Sequence, residues 1–395
     1  MRQDRHIVLV SQQFGTITSG VGTYANFIVE ALLEKGYHIT LICPEEKDEV
    51  DRDAVFPGRL EVIRVPRPRL RSAARWIPLA RSFAKVLRQY LRSATPDLVY
   101  FVDAREAAFA RTPCPKFGTV HDGYAAICPA NPLKMRPQYT DWLQRWAYYH
   151  LTAFLEARAL KRFKGLHYVS DVTRAQIAAR HRIYPALSWT AHLGLDTKRF
   201  LLADMIPAVA ARERGKILTV GGNPERKGVH NLVRALPAVL KIIPEAHLYI
   251  AGGIEHPGIA RTARQLGVER AVTWLGWQTA EQLRDHYVTA SVFAMPSLVE
   301  SFGLVYLEAA IYGTPVLATT NCGLSEFLGD DAAYYSDPTN LDDISSGLVK
   351  LITDMEYAQQ LVDSAMPIVL GRDISEVAGI VCEMFEEVLD VNGLP

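Results

Sequence analysis

Pro296-Ser297-Leu298-Val299-Glu300-Ser301-Phe302-Gly303-Leu304-Val305-Tyr306-Leu307-Glu308-Ala309-Ala310-Ile311-Tyr312-Gly313-Thr314-Pro315-Val316 is the stretch whose reading decides the fold. The run before it, Val292–Met295, is short, apolar and closed by proline, which reads as a buried strand. Leu304–Tyr312 is rich in helix formers. Gly313 takes the left-handed position that ends helices, and Pro315 opens a second apolar run, Pro315–Ala318. A strand, a helix and a strand in that order imply parallel pairing.

The same alternation extends outward in both directions. Upstream, Ile7–Val10, a helix of about Val21–Lys35 ended by Gly36, and Ile39–Cys43 form one such unit. Further strands are expected at Leu60–Val65, Leu98–Val102, Phe117–His121, Leu166–Val169 and Ser188–His192. A long aromatic helix is expected at about Tyr139–Lys164, and another from Asp171. Leu201–Arg214 mixes alanine, proline and charge without a strand pattern and reads as a linker. Beyond it come Ile217–Val220, helix Val229–Ile242, His247–Ala251 and Val272–Leu275. The expectation is two doubly wound, Rossmann-like α/β domains: 1–200, a linker 201–214, then 215–372, with 373–395 a terminal helix crossing back to the first domain. Two such sheets facing each other make a cleft, and ligands lie beyond the carboxyl ends of the strands.

That rule singles out the opening stretch. Glu300 follows a strand, Glu308 sits eight residues on inside the helix, and the amides of Phe302, Gly303 and Leu304 open that helix. Unsatisfied N–H groups and the positive end of the helix dipole suit an anion, and Gly303 admits a phosphate close to the backbone. A carboxylate can accept two hydrogen bonds from a vicinal diol. Two glutamates on an ordinary helix would mean nothing; flanking a glycine at a strand-to-helix junction, they fit a sugar nucleotide, with Glu308 on the ribose, Glu300 on the sugar and the diphosphate between.

The block, with its two glutamates separated by seven residues, resembles the signature of the retaining glycosyltransferases of family 4, which have the GT-B fold. Shorter matches follow in order: Gly20-Val21-Gly22, Thr119-Val120-His121-Asp122, Val169-Ser170-Asp171-Val172-Thr173, Gly194-Leu195-Asp196 with Phe200, Val220-Gly221-Gly222, and Arg226-Lys227-Gly228. The resemblance implies that the second domain binds the donor and the first the acceptor. Lys227 matches the lysine on the diphosphate, with Arg226 beside it. The arginine usual just after the strand glycine is replaced by Gly221-Gly222-Asn223. His121 matches the acceptor-side histidine, and Asp122 reads as a turn cap rather than a base. Gly20 and Gly22 let a loop approach the diphosphate or the acceptor. The implied reaction moves a hexose-type sugar from a UDP-, GDP- or ADP-sugar to a hydroxyl acceptor, lipid-linked or polysaccharide, with retention by a front-face route. Catalytic roles fall to His121, Glu300 and Lys227. The nucleotide sugar is a co-substrate, so no cofactor is expected. No metal is expected either: the single Asp-x-Asp, Asp51-Arg52-Asp53, lies far from the donor block.

Composition bounds the alternatives. Zero formal net charge gives no bias toward nucleic acid. Cys43, Cys114, Cys128, Cys322 and Cys382 have no CxxC spacing, which argues for reduced thiols. The first residues lack a signal peptide's apolar core, and no apolar run is long enough to span a bilayer, so a cytoplasmic protein is expected. From Arg59 to Arg92, nine arginines and Lys85 face one acid, Glu61. Trp76, Leu79, Phe83, Val86, Leu87 and Tyr90 fall at helical spacing on the other side. Segment 71–92 therefore reads either as a core-packed helix or as a peripheral contact with the anionic inner face of a membrane. Trp142, Trp146, Tyr148 and Tyr149 either line the acceptor pocket or pack the long helix. A dinucleotide fingerprint at Gly20-Val21-Gly22-Thr23-Tyr24-Ala25 fails on spacing, since nine residues separate it from the strand. The rival readings are an epimerase or phosphorylase of the same fold, and a non-catalytic nucleotide-sugar-binding protein.

Overall fold

The computed structural model describes residues 5–15, 20–45, 58–68, 76–123, 142–200, 206–320 and 322–390. These residues form two compact units, 5–123 with 144–192 and 374–390, and 193–373. Asp51-Arg52-Asp53, Cys128, Tyr139 and the Trp142 side chain, residues 71–75 and residues 201–205 lie outside the described residues.

The first unit carries seven strands: β1 His6–Val10, β2 His38–Pro44, β3 Leu60–Val65, β4 Leu98–Phe101, β5 Lys116–Val120, β6 Gly165–Tyr168 and β7 Leu187–Thr190. All pair in parallel, in the order β3-β2-β1-β4-β5-β6-β7. The second unit repeats the scheme with β8 Glu213–Val220, β9 His247–Ala251, β10 Val272–Gly276, β11 Ala290–Ala294, β12 Val316–Thr319 and β13 Tyr334–Ser336, ordered β10-β9-β8-β11-β12-β13. Each sheet reverses direction beside its first strand, between β1 and β4 and between β8 and β11. In doubly wound sheets that switch point is where ligands bind.

Helix Ile374–Asp390 belongs to the first unit, although residues 193–373 of the second precede it. Its anchor is Phe385, fully buried between the rings of Tyr100 and Phe117, with centroids 5.1 and 4.9 Å away. Burying such a ring contributes about 2–3 kcal/mol. Arg5 and Tyr37 hold Glu386 at 3.0 and 2.9 Å.

Two expectations are adjusted. Within the described part of the stretch read as a linker, Val209–Ala211 form a 3-10 turn, β8 begins at Glu213, and Arg212 is a buried strut. Its guanidinium donates to the carbonyls of Tyr287, Val288, Ala290 and Tyr312 at 2.6–3.2 Å, closing the last turns of helices Ala280–Thr289 and Leu304–Ile311. Orphan carbonyls at helix ends, not carboxylates, satisfy this cation. Second, β5 starts one residue early, at Lys116, which places His121 just past the strand end. Of the two readings of segment 71–92, the core-packed helix is the one found over Trp76–Tyr90. Trp76, Leu79, Phe83 and Leu87 are buried there, and Arg81, Lys85 and Arg88 are left outward. Tyr149 is likewise buried and Tyr148 packs on the same core, the packing alternative for the aromatic helix Trp142–Leu160. The four described cysteines are thiols, and no helix among the described residues is long and apolar enough to cross a membrane.

Beneath β5 lies a buried polar chain. Tyr100 donates to Tyr24 at 2.9 Å and meets Thr119 at 2.7 Å, while His167 bridges Thr119 at 3.3 Å and the Ala191 carbonyl at 2.9 Å. Burial pushes the His167 imidazole down to about 4, against the upward pull of the Ala191 carbonyl. The unfolded chain takes up this proton near pH 6.5, whereas the folded one resists to about 4. Its contribution to stability is therefore complete above pH 6.5 and is lost as pH falls toward 4, by about 3 kcal/mol. Melting curves between pH 7 and 4 should show this loss, and His167→Asn should flatten it; an identical acid slope in the variant would show that the proton goes elsewhere.

Candidate functional site

Two loops at the switch point of the second sheet build the site. The first, Gly221-Gly222-Asn223-Pro224-Glu225-Arg226-Lys227-Gly228, leaves β8; the second, 295–303, leaves β11. Ile217 sits opposite Val292 and Leu218 opposite Phe293, so the two strands deliver their loops side by side. The Leu298 amide donates to the Arg226 carbonyl at 2.9 Å, lacing the loops together.

Glycine makes the contact possible. Gly228 has φ +76°, and a Cβ there would stand 1.9 Å from the Pro296 carbonyl oxygen. Gly221 faces the stem of Lys227, where a Cβ would fall 2.9 Å from Cγ. The lysine therefore lies flat across the loop, and its Nζ donates to Glu300 Oε2 at 2.5 Å. Both side chains are largely enclosed, at 14% and 7% exposure, so water screens the pair poorly. Ser297 adds a longer hydroxyl contact to the same oxygen, 3.5 Å.

Helix Leu304–Ile311 starts immediately after. Gly303 occupies its N-cap in left-handed geometry (φ +85°), and among the described residues no side chain caps the first turn. A Cβ at Gly303 would strike the Tyr306 ring at 2.5 Å and approach Glu300 Cγ at 3.2 Å. Tyr306 in turn donates to the Met295 carbonyl at 2.5 Å, fixing helix to loop. Phe302 is buried at 2% exposure against Phe327, so its ring is core while its amide belongs to the loop. Leu304 is half-buried.

Glu308 is placed differently. The hydroxyl of Tyr287, from the neighbouring helix, donates to its Oε2 at 2.9 Å. Burial, reinforced by this carboxylate, drives the Tyr287 phenol well above its ordinary value, so it stays a donor. The structure thus joins Lys227 to Glu300 and holds Glu308 through Tyr287. Residue patterns missed Tyr287 and Ser297, and also Glu225, a buried carboxylate 3.5 Å from His256. Tyr287 is 21 residues from Glu308 and His256 is 31 from Glu225, so no local spacing marks them, while Ser297 lies in the same loop as Glu300 and its hydroxyl carries no signal of its own.

In the first unit, His121 follows β5 at 7% exposure. Its ring meets Tyr24 edge-on at 5.0 Å, one nitrogen bonds the Val102 backbone, and Nε2 is buried with no partner among the described residues. Burial lowers its proton affinity, outweighing Asp103 and the adjacent Asp122, so the ring is neutral near pH 7. Gly20 opens helix Gly20–Glu34 and Gly22 lies in its first turn. A Cβ on Gly22 would fall 2.8 Å from Gln13 Oε1, so this glycine makes room for the chain after β1.

Two family models match the chain in succession: Glycosyltransferase Family 4 over residues 18–199 and Glycosyl transferases group 1 over residues 206–366. A GDP-mannose-dependent alpha-(1-6)-phosphatidylinositol monomannoside mannosyltransferase of Mycolicibacterium smegmatis is 33% identical over 207 residues, covering 48% of this chain and 53% of the relative. A D-inositol 3-phosphate glycosyltransferase of Kribbella flavida is 32% identical over 200 residues, 47% of either chain. The chain thus spans about half the length of the curated relatives it matches. Among solved structures, sucrose-phosphate synthase from Thermosynechococcus elongatus superposes with a TM-score of 0.77 at 17% identity, covering 98% of this chain and 100% of that one. That likeness is one of fold: two Rossmann-like parallel-sheet domains, the GT-B type.

Proposed function

We propose that this chain is a glycosyltransferase that moves a hexose-type sugar from a GDP-, UDP- or ADP-sugar to a hydroxyl acceptor, lipid-linked or polysaccharide, with retention. The observation that carries the reading is the enclosed Lys227–Glu300 pair beside a helix start that no side chain caps among the described residues. The mannosyltransferase and inositol phosphate glycosyltransferase relatives favour the same reaction class.

In this reading the ion pair is a placeholder. The donor's diphosphate takes the Lys227 ammonium and the helix amides of Gly303 and Leu304, with Arg226 adding a second cation. Glu300, released, accepts from sugar hydroxyls. Glu308, oriented by Tyr287, accepts from the ribose diol. As the glycosidic bond to the β-phosphate breaks, Lys227 offsets the charge appearing on the leaving diphosphate. A β-phosphate oxygen takes the acceptor proton on the face that is attacked, so the anomeric configuration is kept without a covalent sugar–enzyme adduct. His121 is assigned to the acceptor side, where a neutral ring with an available Nε2 can bond a hydroxyl. With cations supplied by the chain, transfer should survive chelation of divalent ions.

A thermal-shift panel of nucleotides and nucleotide sugars tests the donor class. A ligand at a hundredfold its dissociation constant adds about 2.7 kcal/mol, a shift of several degrees. Glu308→Ala should abolish that shift with little change in the unliganded melting point. If no sugar nucleotide shifts the parent protein, or the variant responds as the parent does, the ribose assignment fails.

A further inference from the structure

The three strands on one side of the second switch point end in glycine: Gly221-Gly222 after β8, Gly252-Gly253 after β9, and Gly276 closing β10. Their backbones pack edge to edge. The Gly221 amide donates to the Ala251 carbonyl at 2.9 Å, and the Gly252 amide to the Gly276 carbonyl at 2.8 Å. A Cβ at Gly252 would stand 3.1 Å from the Gly221 backbone, while one at Gly253 would meet nothing within 4 Å. The strand ends therefore form a floor of bare peptide groups. It begins beside the stem of Lys227, which Gly221 faces, and runs outward across the sheet.

Trp277 follows β10 and is 67% exposed; among the described residues no other tryptophan is exposed. Its side chain is nevertheless placed. A Cβ at Gly222 would stand 3.5 Å from Trp277 Cη2, so the indole turns back toward the loop after β8. β8 and β10 are second neighbours in the sheet, roughly 10 Å apart, and the ring crosses the end of β9 between them. The turn that presents it is fixed: Gly276 has φ +70°, and Gln278 Nε2 donates to the Leu275 carbonyl at 2.7 Å. An exposed aromatic alone means little. One laid back over bare backbone, at the carboxyl ends of parallel strands, is a platform for a flat ring. Gly221 meets the lysine stem and Gly222 the indole, so one dipeptide separates the cation from the platform. The base is the flat part of a nucleotide sugar.

We propose that Trp277 stacks on the donor's nucleobase and makes a purine the preferred base. The inference rests on the sugar-nucleotide reading of this site and narrows it to GDP- or ADP-sugars. A two-ring purine covers an indole more fully than a one-ring pyrimidine does, and the gain from stacking grows with the overlap. The bare floor leaves the second ring room, since no side chain rises at Gly222 or Gly253.

The test is calorimetric titration of the parent protein, Trp277→Ala and Trp277→Phe with GDP, ADP, UDP and inorganic pyrophosphate, and with the matching sugar nucleotides. In the parent, the better of GDP and ADP should bind about tenfold more tightly than UDP, and should quench tryptophan fluorescence. Trp277→Ala should weaken that purine nucleotide about 10- to 100-fold, the usual effect of removing one stacking platform, and erase most of its advantage over UDP. Pyrophosphate, which has no ring, should bind parent and variant alike, a result that a general disturbance of the loops would not give. Trp277→Phe should recover most of the purine preference. Equal purine-nucleotide binding by the parent and Trp277→Ala overturns the proposal, as does a parent that prefers UDP. So does a variant that binds GDP and ADP normally and loses only the sugar nucleotides, which would put the indole on the sugar. If no nucleotide binds the parent at all, the sugar-nucleotide reading itself fails. If GDP, ADP and UDP bind parent and variant alike, that reading stands and the role of Trp277 alone falls.

Discussion

Lys227→Ala should reduce donor turnover, measured as release of nucleoside diphosphate, by about 10²–10³-fold, the usual effect of removing one group that stabilises charge in a transition state. The folded protein should also lose about 1–3 kcal/mol, because truncation leaves Glu300 as an enclosed carboxylate without its cation. These two effects have different cures. Adding Glu300→Gln to the lysine variant removes the uncompensated charge and should restore much of the melting temperature, while turnover stays low. Stability changes would thus be strongly non-additive, as expected for residues in contact, whereas the rate would not recover. Lys227→Arg keeps the charge but replaces a compact ammonium by a planar fork, so it should hold stability better than it holds rate. Turnover of Lys227→Ala within tenfold of the parent would remove the lysine from the reaction and leave the pair a purely structural contact.

How much of this was legible beforehand depends on where the information sits. The strand–helix–strand block around Gly303 was readable because Pro296, Gly303, Gly313 and Pro315 punctuate it, and the structure places Gly313 at φ +66° just past the helix. Glu300 and Lys227 were each nameable by resemblance. Their pairing was not, because 73 residues separate them and only the β8–β11 register brings them together. Arg212 was hidden for a related reason. An arginine among alanines and prolines looks solvated, and nothing local announces that its partners are carbonyls some 75 to 100 residues further on. The helix Trp76–Tyr90 shows the limit of periodicity. Spacing reveals an apolar stripe, but not whether core or lipid covers it, and here the core does.

Gly228→Ala should be among the most damaging single substitutions in the second unit, costing more than about 4 kcal/mol. Two effects add. A left-handed φ of +76° costs an ordinary residue roughly 1–2 kcal/mol. The larger effect is the collision: no Cβ can sit 1.9 Å from a carbonyl oxygen, and the atom it meets is backbone, which cannot rotate away. Gly267→Ala separates the two, since Gly267 has φ +70° with nothing within 4 Å of its Cβ position. It should cost only the backbone part, a few degrees of melting temperature, against more than about 8 °C for Gly228→Ala. If the two variants melt together, the close approach of the loops is not what glycine serves at Gly228. Should the chain instead tolerate the alanine by moving Pro296 outward, Glu300, four residues on, must shift from Lys227. The survivor would then fold and still turn over poorly, because the glycine that admits one loop beside the other also sets the distance across the ion pair.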